Sequence, residues 1–299
     1  MNQLPCTAVP RLKIDDFDPK ELSSPAIIEG FDIGKCLQWT PDYLRNTMGD
    51  KHVTVHKSDH PVLKFQPRNF TYETFQFDEF LTHAFDENCK SFFYLRSLAK
   101  AARDDVANFA VDYPELKADV EFPPLFEEDQ FFSSVFRVSS ADVELWTHFD
   151  TMDNYLLHIY GQKRVFLFPP KDVSNLYVID DKPRVFELDN VSVESFPNLK
   201  NCSAWKCVLA PGDILFIPAF WFHNVKALNF SVSVNVFWKS LPSELYDAKD
   251  VYGNSALLPG QRALQSLDST LNKLKGLPAP IKDFYIRCLI LKLEALITQ

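Results

Sequence analysis

A series of short β-rich segments in the second half of the chain constrains its fold most strongly. Turn residues separate several of them, namely Gly161, Pro169-Pro170 and Pro211-Gly212. Many short strands with turn residues between them are typical of a β-sandwich or a β-barrel. We therefore expect such a β structure at the centre of the fold. The segments span residues 133–139, 144–149, 155–160, 164–168, 213–217, 222–225 and 229–238.

Helical patterns flank this β-rich region. Thr40 followed by Pro41 predicts a helix start, because threonine is a good N-cap and proline suits the first helical position. Residues 77–85, 262–274 and 281–297 space their apolar side chains by three and four, as helices do. Short strand-like runs lie at 25–30, 52–56 and 92–95. The predicted fold is mainly β with helical flanks: an N-terminal α/β elaboration in residues 1–100, a β core in 101–240 and a C-terminal helical segment in 241–299.

Charge and composition exclude several classes of protein. The 299 residues include 31 basic and 40 acidic side chains, for a formal net charge of −9. This balance argues against a protein that coats nucleic acid through bulk charge, so RNA binding must use a local basic patch. No apolar run approaches the roughly 18 residues of a transmembrane helix, and the N-terminus has no apolar signal core. We expect a soluble cytoplasmic protein, with the nucleus as the alternative location, and no membrane partner.

The segment Trp146-Thr147-His148-Phe149-Asp150 carries the most informative chemistry. In a strand, side chains two residues apart share a face, so His148 and Asp150 can bind one metal ion. His223 is the best third ligand, because a Pro-Gly turn, an apolar strand and Pro218 place it at the start of a returning strand. Two histidines and one carboxylate form the facial triad of non-haem Fe(II) oxygenases. An HxD triplet alone is weak evidence, so the surrounding residues decide.

Lys163 adds a second signal. We interpret Gly161-Gln162 as a tight two-residue turn that pairs Tyr160 with Lys163. Counting back by twos then places His148, Asp150, Asn154, His158 and Lys163 on one face. A lysine ammonium that faces a barrel interior is costly unless it meets an anion, such as a dicarboxylate co-substrate. The alternative is a register slip of one residue, which leaves Lys163 a solvated turn lysine.

The segment 229–238 fits the same interpretation. Ser231, Ser233 and Asn235 fall on one face, and Val232, Val234 and Val236 fall on the other. A central strand with one polar and one apolar face can line a site. A half-exposed strand is the commoner explanation of such a pattern and stays open here.

These residues together resemble the JmjC family of Fe(II)/2-oxoglutarate oxygenases. The resemblance rests on His148-Phe149-Asp150, Asn154, Lys163, Phe168-Pro169-Pro170 and the element from Pro211 to His223. It implies a double-stranded β-helix, which is a cupin-type barrel, with His148, Asp150 and His223 as iron ligands. It also implies that Lys163 binds the distal carboxylate of 2-oxoglutarate. Asn154 matches a family position close to the co-substrate, and Asn235 lies in a matching strand.

Residues 131–137, 145–148, 237–244 and 250–254 resemble one branch of that family in particular. This branch hydroxylates the amino-carboxypropyl side chain of a hypermodified, wybutosine-type guanosine at position 37 of phenylalanine tRNA. The resemblance implies that Tyr94 contacts 2-oxoglutarate, that Arg137 contacts the tRNA and that the C-terminal helices form a homodimer. The implied reactants are Fe(II), 2-oxoglutarate and O₂.

Three other functions remain as alternatives. The same chemistry could act on a protein side chain or a methyl-lysine, and activity on modified tRNA against peptides separates these substrates. A non-catalytic cupin scaffold is disfavoured by the intact His148, Asp150, His223 and Lys163. A zinc hydrolase could use the same two histidines and aspartate, but it leaves Lys163 unexplained.

The cysteines and a histidine triplet give weaker signals. No CxxC pair occurs among the six cysteines, so reduced thiols are expected, with a Cys202/Cys207 disulfide or metal clip left open. His52, His56 and His60 are spaced by four and would align on a helix. The run Val53-Thr54-Val55 between them favours a strand, so surface histidines are favoured over a second metal site.

Overall fold

The computed structural model describes residues 4–65, 67–179, 182–189, 191–192 and 194–297. The chain divides into two compact units: one extends to Leu241 and includes Asp250–Asn254, and the other comprises Pro242–Lys249 and the residues from Ser255 onward. The described strands are β1 (Cys6–Ala8), β2 (Arg11–Lys13), β3 (Ala26–Glu29), β4 (His52–Ser58), β5 (Val62–Leu63), β6 (Thr71–Gln76), β7 (Phe92–Arg96), β8 (Phe131–Ser139), β9 (Glu144–His148), β10 (Asp153–Tyr160), β11 (Lys163–Phe168), β12 (Ala204–Leu209), β13 (Ile214–Ile217), β14 (Phe222–Ala227) and β15 (Ser231–Trp238). The described α-helices are α1 (Pro41–Met48), α2 (Phe77–Phe85), α3 (Phe109–Asp112), α4 (Pro114–Lys117), α5 (Leu258–Lys273) and α6 (Ala279–Ile297).

Strands β8 to β15 form a double-stranded β-helix. One sheet contains the neighbours β13, β10, β15 and β8, and the other contains β12, β11, β14 and β9. All neighbours within these two sets are antiparallel. From β8 to β15 the chain crosses from one sheet to the other after nearly every strand. Among these eight described strands, only β11 and β12 are both consecutive and paired. The predicted mainly β fold with a double-stranded β-helix core is confirmed.

The N-terminal residues extend both sheets and cover one of them. Strands β7, β4 and β6 continue the larger sheet beyond β8, and β3 and β2 continue it beyond β13. The N-cap predicted at Thr40 is confirmed, because its Oγ1 accepts a hydrogen bond from the Tyr43 N–H at 3.1 Å. Leu44 of α1 and Phe80 of α2 share one apolar core with Phe136 of β8. The helices therefore pack on the outer face of the larger sheet and leave its inner face to line the barrel.

The predicted hairpin at Gly161-Gln162 is wrong. β10 pairs with β13 and β15, whereas β11 pairs with β12 and β14, so Tyr160 and Lys163 are not cross-strand partners. The two residues carry the chain from one sheet to the other. Gly161 has a φ of 76°, and a Cβ there would lie 2.1 Å from the Phe230 carbonyl oxygen. A local turn signal predicts where the chain reverses, but it does not say which strands then form hydrogen bonds.

Helices α5 and α6 belong to the second unit. They confirm the helical patterns predicted for 262–274 and 281–297. Neither helix has a buried residue in its described length. The described residues contain no helix that combines the length and apolarity needed to cross a membrane. Large apolar side chains are exposed along both helices at Leu264, Leu271, Ile281, Phe284, Tyr285, Ile290, Leu291, Leu293, Leu296 and Ile297.

Candidate active site

His148, Asp150 and His223 come together at one end of the barrel. His148 ends β9 and is the cross-strand partner of His223 in β14, and Asp150 lies in the loop after β9. One ligand atom from each residue lies within 4.8 Å of the other two, and His223 Nε2 is 3.5 Å from Asp150 Oδ2. The Phe220 N–H donates to the Asp150 carbonyl at 2.7 Å and ties this loop to the segment before β14. The sequence-predicted triad is therefore one cluster in space.

Backbone carbonyls orient both imidazoles. His148 Nδ1 lies 2.7 Å from the Trp146 carbonyl oxygen, and His223 Nδ1 lies 3.1 Å from the Trp221 carbonyl oxygen. A carbonyl only accepts, so each Nδ1 donates, and in the neutral tautomer that this selects the lone pair lies on Nε2. Burial, and to a smaller extent the neighbouring His223, lowers the pKa of His148 to about 4. The donor set of two oriented imidazoles and a carboxylate fits a divalent transition metal.

A small cavity extends from this triad into the barrel. Its wall combines polar side chains with aliphatic ones, which limit the access of water. The lining residues are Tyr94, Arg137, Ser139, Val143, Leu145, His148, Asp150, Leu156, Lys163, Ile217, His223, Val225, Ala227 and Asn235.

Lys163, the first residue of β11, points into this cavity and is 3% exposed. The alternative of a solvated turn lysine therefore does not hold. Its Nζ donates to Ser233 Oγ at 2.6 Å, and no carboxylate of the described residues lies within ion-pair distance. Burial, with a smaller contribution from Arg137, lowers the pKa of the Lys163 ammonium to about 7. A buried cation without an anion fits a cavity that receives a carboxylate ligand.

Tyr94 and Arg137 line the same cavity from β7 and β8. The Arg137 Nη1 donates to the Tyr94 hydroxyl oxygen, and Arg137 Nε is buried without a partner. Ser139, which the sequence interpretation missed, lies beside them and shares a hydrogen bond of 2.8 Å with Ser231. Its signal was the alternation of β8, in which residues 137 and 139 face the same side.

Asn154 and Asn235 form a buried pair behind the metal triad. Asn235 lines the cavity, and its Nδ2 donates to Asn154 Oδ1 at 3.2 Å. Asn154 does not line the cavity and contacts it through Asn235. Asn154 Nδ2 and Asn235 Oδ1 have no hydrogen-bond partner among the described residues. The polar face predicted for 231–235 is confirmed, and Val232, Val234 and Val236 lie in the apolar core on the opposite side.

The weaker candidates lie elsewhere. His56 packs against the rings of Phe70, Tyr72 and Tyr94, and its Nδ1 is 3.1 Å from the Tyr94 carbonyl oxygen. The strand predicted around His56 is confirmed as β4. His158 is fully buried, and its Nε2 lies 2.9 Å from the Gly161 carbonyl oxygen. All six cysteines are free thiols, and burial raises the pKa of Cys202 and of Cys207 to about 12.

Several known proteins are similar in sequence to this chain over nearly its full length. The family model described as a cupin-like domain matches residues 20–244. tRNA wybutosine-synthesizing protein 5 of Danio rerio is 45% identical over 279 residues, which cover 91% of this chain and 86% of that protein. The protein of the same name from Homo sapiens is 44% identical over 278 residues, or 90% of this chain and 88% of that protein. tRNA wybutosine-synthesizing protein 4 of Gibberella zeae is 36% identical over 293 residues, or 94% of this chain but 28% of that protein.

The barrel topology and the match of the family model agree on the class of protein. The chain belongs to the cupin-like domain family and, within it, to the family of tRNA wybutosine-synthesizing protein 5. The resemblance inferred from the motifs around His148 and Lys163 is confirmed as a family relationship.

Proposed function

We propose that the chain is an Fe(II)- and 2-oxoglutarate-dependent hydroxylase acting on the side chain of a wybutosine-type guanosine at position 37 of phenylalanine tRNA. One observation carries the proposal: a facial His148, Asp150 and His223 cluster shares a small cavity with the buried, acid-free Lys163. The names of the relatives supply the tRNA and the wybutosine pathway.

His148, Asp150 and His223 would hold the iron on one face and leave its other positions for co-substrate and oxygen. When bound, iron supplies the oxidising chemistry that converts 2-oxoglutarate, O₂ and a C–H bond into succinate, CO₂ and a C–OH group. The Trp146 and Trp221 carbonyls accept from the two Nδ1 atoms and so orient the rings with Nε2 free to face the metal.

Lys163 would bind the distal carboxylate of 2-oxoglutarate through its ammonium, with the Tyr94 hydroxyl beside it. Ser233 orients the ammonium, because its Oγ accepts one of the three Nζ hydrogens. Asn235, supported by Asn154, would lie near the end of the co-substrate that faces the metal. The aliphatic residues Val143, Leu145 and Val225 exclude water from the reacting atoms.

The tRNA contacts of the proposed enzyme begin at the cavity wall. Arg137 is the proposed tRNA residue, and its place in the cavity wall favours a contact with the modified nucleotide over one with the outer phosphates. The net charge of −9 means that backbone binding needs a local basic patch. Raising the salt concentration should then weaken tRNA binding steeply. A flat salt response would contradict the patch.

We further propose a homodimer formed through α5 and α6. Both helices expose long apolar side chains throughout their described length, such as Leu264, Phe284 and Leu291. A second copy of the chain could bury these side chains. Sedimentation should show a dimer, and the double change Leu291→Glu and Leu296→Glu should give a monomer. A wild-type monomer would exclude this part of the proposal. The cytoplasmic or nuclear location and the bounds of the three segments stay predictions.

The direct test is succinate formation by anaerobically reconstituted Fe(II) protein supplied with 2-oxoglutarate and O₂. It is run with and without tRNA isolated before the wybutosine hydroxylation step, with His148→Ala as control. We expect tRNA to stimulate turnover and the modified base to gain one oxygen atom. If tRNA does not change the turnover, a protein side chain becomes the favoured substrate. Bound iron without succinate would favour a scaffold.

A further inference from the structure

Two arginines, Arg96 of β7 and Arg137 of β8, lie side by side on the cavity side of the larger sheet. Arg96 and Arg137 are cross-strand partners, and directly opposite residues point to the same face of a sheet. Arg137 lines the cavity, as does Tyr94, which lies two residues before Arg96 on its strand. Arg96 therefore shares the inner face of the sheet with both. Along β7 it is one step beyond Tyr94 toward the metal end of the barrel.

Arg96 has no acidic partner in the described part of the chain. Its guanidinium makes no hydrogen bond or ion pair there, and its closest aromatic contact is the Tyr252 ring, with 5.9 Å from Cζ to the ring centre. Burial, and then the neighbouring Arg137, lowers the pKa of Arg96. Tyr94, Asp150 and Tyr252 act in the opposite direction with smaller effects. Two adjacent, partly buried guanidinium groups without an anion form a binding site for one.

Backbone hydrogen bonds and a close glycine approach fix the segment that carries Tyr252, whose ring lies beside Arg96. The Asp250 Oδ1 accepts the N–H groups of Tyr252 and Gly253, each at 3.0 Å. Gly253 has a φ of 72°, and a Cβ there would lie 2.9 Å from the Phe132 ring, so only glycine permits this approach. The Tyr252 side chain is 41% exposed. A flat, accessible ring therefore stands beside Arg96 at the edge of the cavity.

We propose that Arg96 binds a carboxylate on the side chain of the substrate base, while the Tyr252 ring packs against the base itself. This inference rests on the proposed function and names the group by which the site recognises its substrate. A guanidinium binds a carboxylate through two parallel hydrogen bonds. The amino-carboxypropyl side chain of the substrate carries such a carboxylate. A backbone phosphate is a poorer candidate, because the reacting side chain enters the cavity and the phosphates stay outside it.

The 2-oxoglutarate carboxylates do not compete for Arg96 in this scheme. Lys163 and Tyr94 take the distal carboxylate deeper in the barrel, and the other carboxylate belongs at the metal. Arg96 is left for a second acidic molecule. Arg137 lies between the two positions, because it bonds to the Tyr94 hydroxyl and is also the cross-strand partner of Arg96.

The test compares two substrates that differ only in charge. Wild-type Fe(II) protein receives tRNA whose modified guanosine carries the free carboxylate or its methyl ester. We expect wild type to favour the acid by roughly 10- to 100-fold in KM, the effect of hydrogen bonds to a charged group. Arg96→Gln should remove this preference by raising the KM for the acid and leaving that for the ester within about twofold. The preference of Arg96→Lys for the acid should lie between those of wild type and Arg96→Gln, because lysine keeps the positive charge but lacks the paired N–H donors of arginine.

Arg45→Gln is the matched control, because Arg45 bonds to Asp78 on a helix outside the cavity. It should keep the preference of wild type. Binding of the free modified nucleoside and its ester, measured by calorimetry, gives the same comparison without turnover. A wild type that treats acid and ester alike would overturn the inference, whatever the variants do. Equal losses on both substrates in Arg96→Gln would also overturn it, because they indicate a structural role. If wild type hydroxylates neither the tRNA with the free carboxylate nor the tRNA with the methyl ester, the proposed function itself fails.

Discussion

The inner and outer faces of β11 bury two adjacent cations in opposite ways. Lys163 and Arg164 are each 3% exposed. Arg164, on the outer face, lies 3.3 Å from the Glu144 carboxylate and 3.5 Å from that of Asp189, and its guanidinium stacks over Phe166. Lys163, on the inner face, has the Ser233 hydroxyl and no acid of the described residues.

This difference separates a structural cation from a ligand-binding one. A buried charge is costly unless an opposite charge compensates it. The fold supplies two acids to Arg164 itself, whereas it leaves Lys163 to an anion from outside. A related contrast holds between the half-exposed Arg45, which bonds to Asp78, and the more buried Arg96, which forms no ion pair with an acid of the described residues. Burial alone therefore does not mark a binding cation, but burial without an acid does.

The largest effect should come from the metal end of the inner face. His148→Ala removes one imidazole of the proposed iron site, so succinate formation should fall to the detection limit, at least roughly 1,000-fold. Metal content of the purified protein checks the cause. His60→Ala, at an exposed histidine, should keep full activity. Normal turnover by His148→Ala would remove the triad from the mechanism.

Lys163→Met should weaken 2-oxoglutarate binding at the inner face of β11 without destabilising the fold. Loss of the charge should raise the KM for 2-oxoglutarate by roughly 100-fold, as expected for a charged hydrogen-bonded pair. The free energy of unfolding should stay unchanged or rise, because a buried cation without an acid is removed. Steady-state kinetics and urea unfolding measure the two quantities. An unchanged KM with a clear loss of stability would make Lys163 structural.

Arg164→Met should show the reverse. It leaves Glu144 buried without its main cation, and the free energy of unfolding should fall by about 3 kcal/mol. The KM for 2-oxoglutarate should change by less than about twofold, because Arg164 faces away from the cavity. Urea unfolding compared with Lys163→Met gives the contrast directly. If both variants lose equal stability, the two faces of β11 do not differ as proposed.

The pH dependence of 2-oxoglutarate binding should sharpen the same comparison. The pKa of Lys163 is lowered to about 7, below its value in the unfolded chain. Between the folded and the unfolded pKa of Lys163, the native state binds fewer protons than the unfolded state. The charged Lys163 therefore lowers the free energy of unfolding by its full amount below about pH 7, and this loss becomes smaller as the pH rises above 7. Only the protonated amine attracts a carboxylate, so affinity should fall about tenfold from pH 6 to pH 8.

Calorimetry in two buffers with different ionisation enthalpies checks this expectation. Binding at pH 8 should take up nearly one proton per ligand, and binding at pH 6 nearly none. Lys163→Met should take up none at either pH. A wild-type affinity that is flat over this range would contradict the role of the Lys163 charge.

The smallest effect should lie outside both faces of β11. Thr40→Ala removes the side-chain oxygen that caps α1, at a cost of about 1 kcal/mol in the free energy of unfolding. The KM for 2-oxoglutarate should not change. Thermal and urea unfolding give the background against which the changes on β11 are judged. A large kinetic effect would connect α1 to the cavity in a way that no contact described here explains.

Several parts of the site could be predicted because they depend on local periodicity. His148 and Asp150 are two residues apart, and Ser233 and Asn235 alternate with valines, so each pair shares a face in any regular strand. The hairpin at Gly161-Gln162 could not be predicted correctly, because strand pairing depends on residues far along the chain. The contact of Asn154 with Asn235 has the same origin, since β10 and β15 are distant in sequence but adjacent in the sheet.

The sequence alone determined which residue types were available: two histidines and an aspartate at strand spacing, a lysine after a glycine turn and a polar strand opposite them. Only the tertiary structure decided how they are used. It supplied the Trp146 and Trp221 carbonyls that orient the imidazoles. It also brought Glu144 to Arg164, but among the described residues it placed no acid within ion-pair distance of Lys163 or Arg96. Lys163 and Arg164 are neighbours whose faces would exchange with a register shift of one residue. Long-range strand pairing fixes that register, and with it which cation the fold neutralises and which it leaves for a ligand.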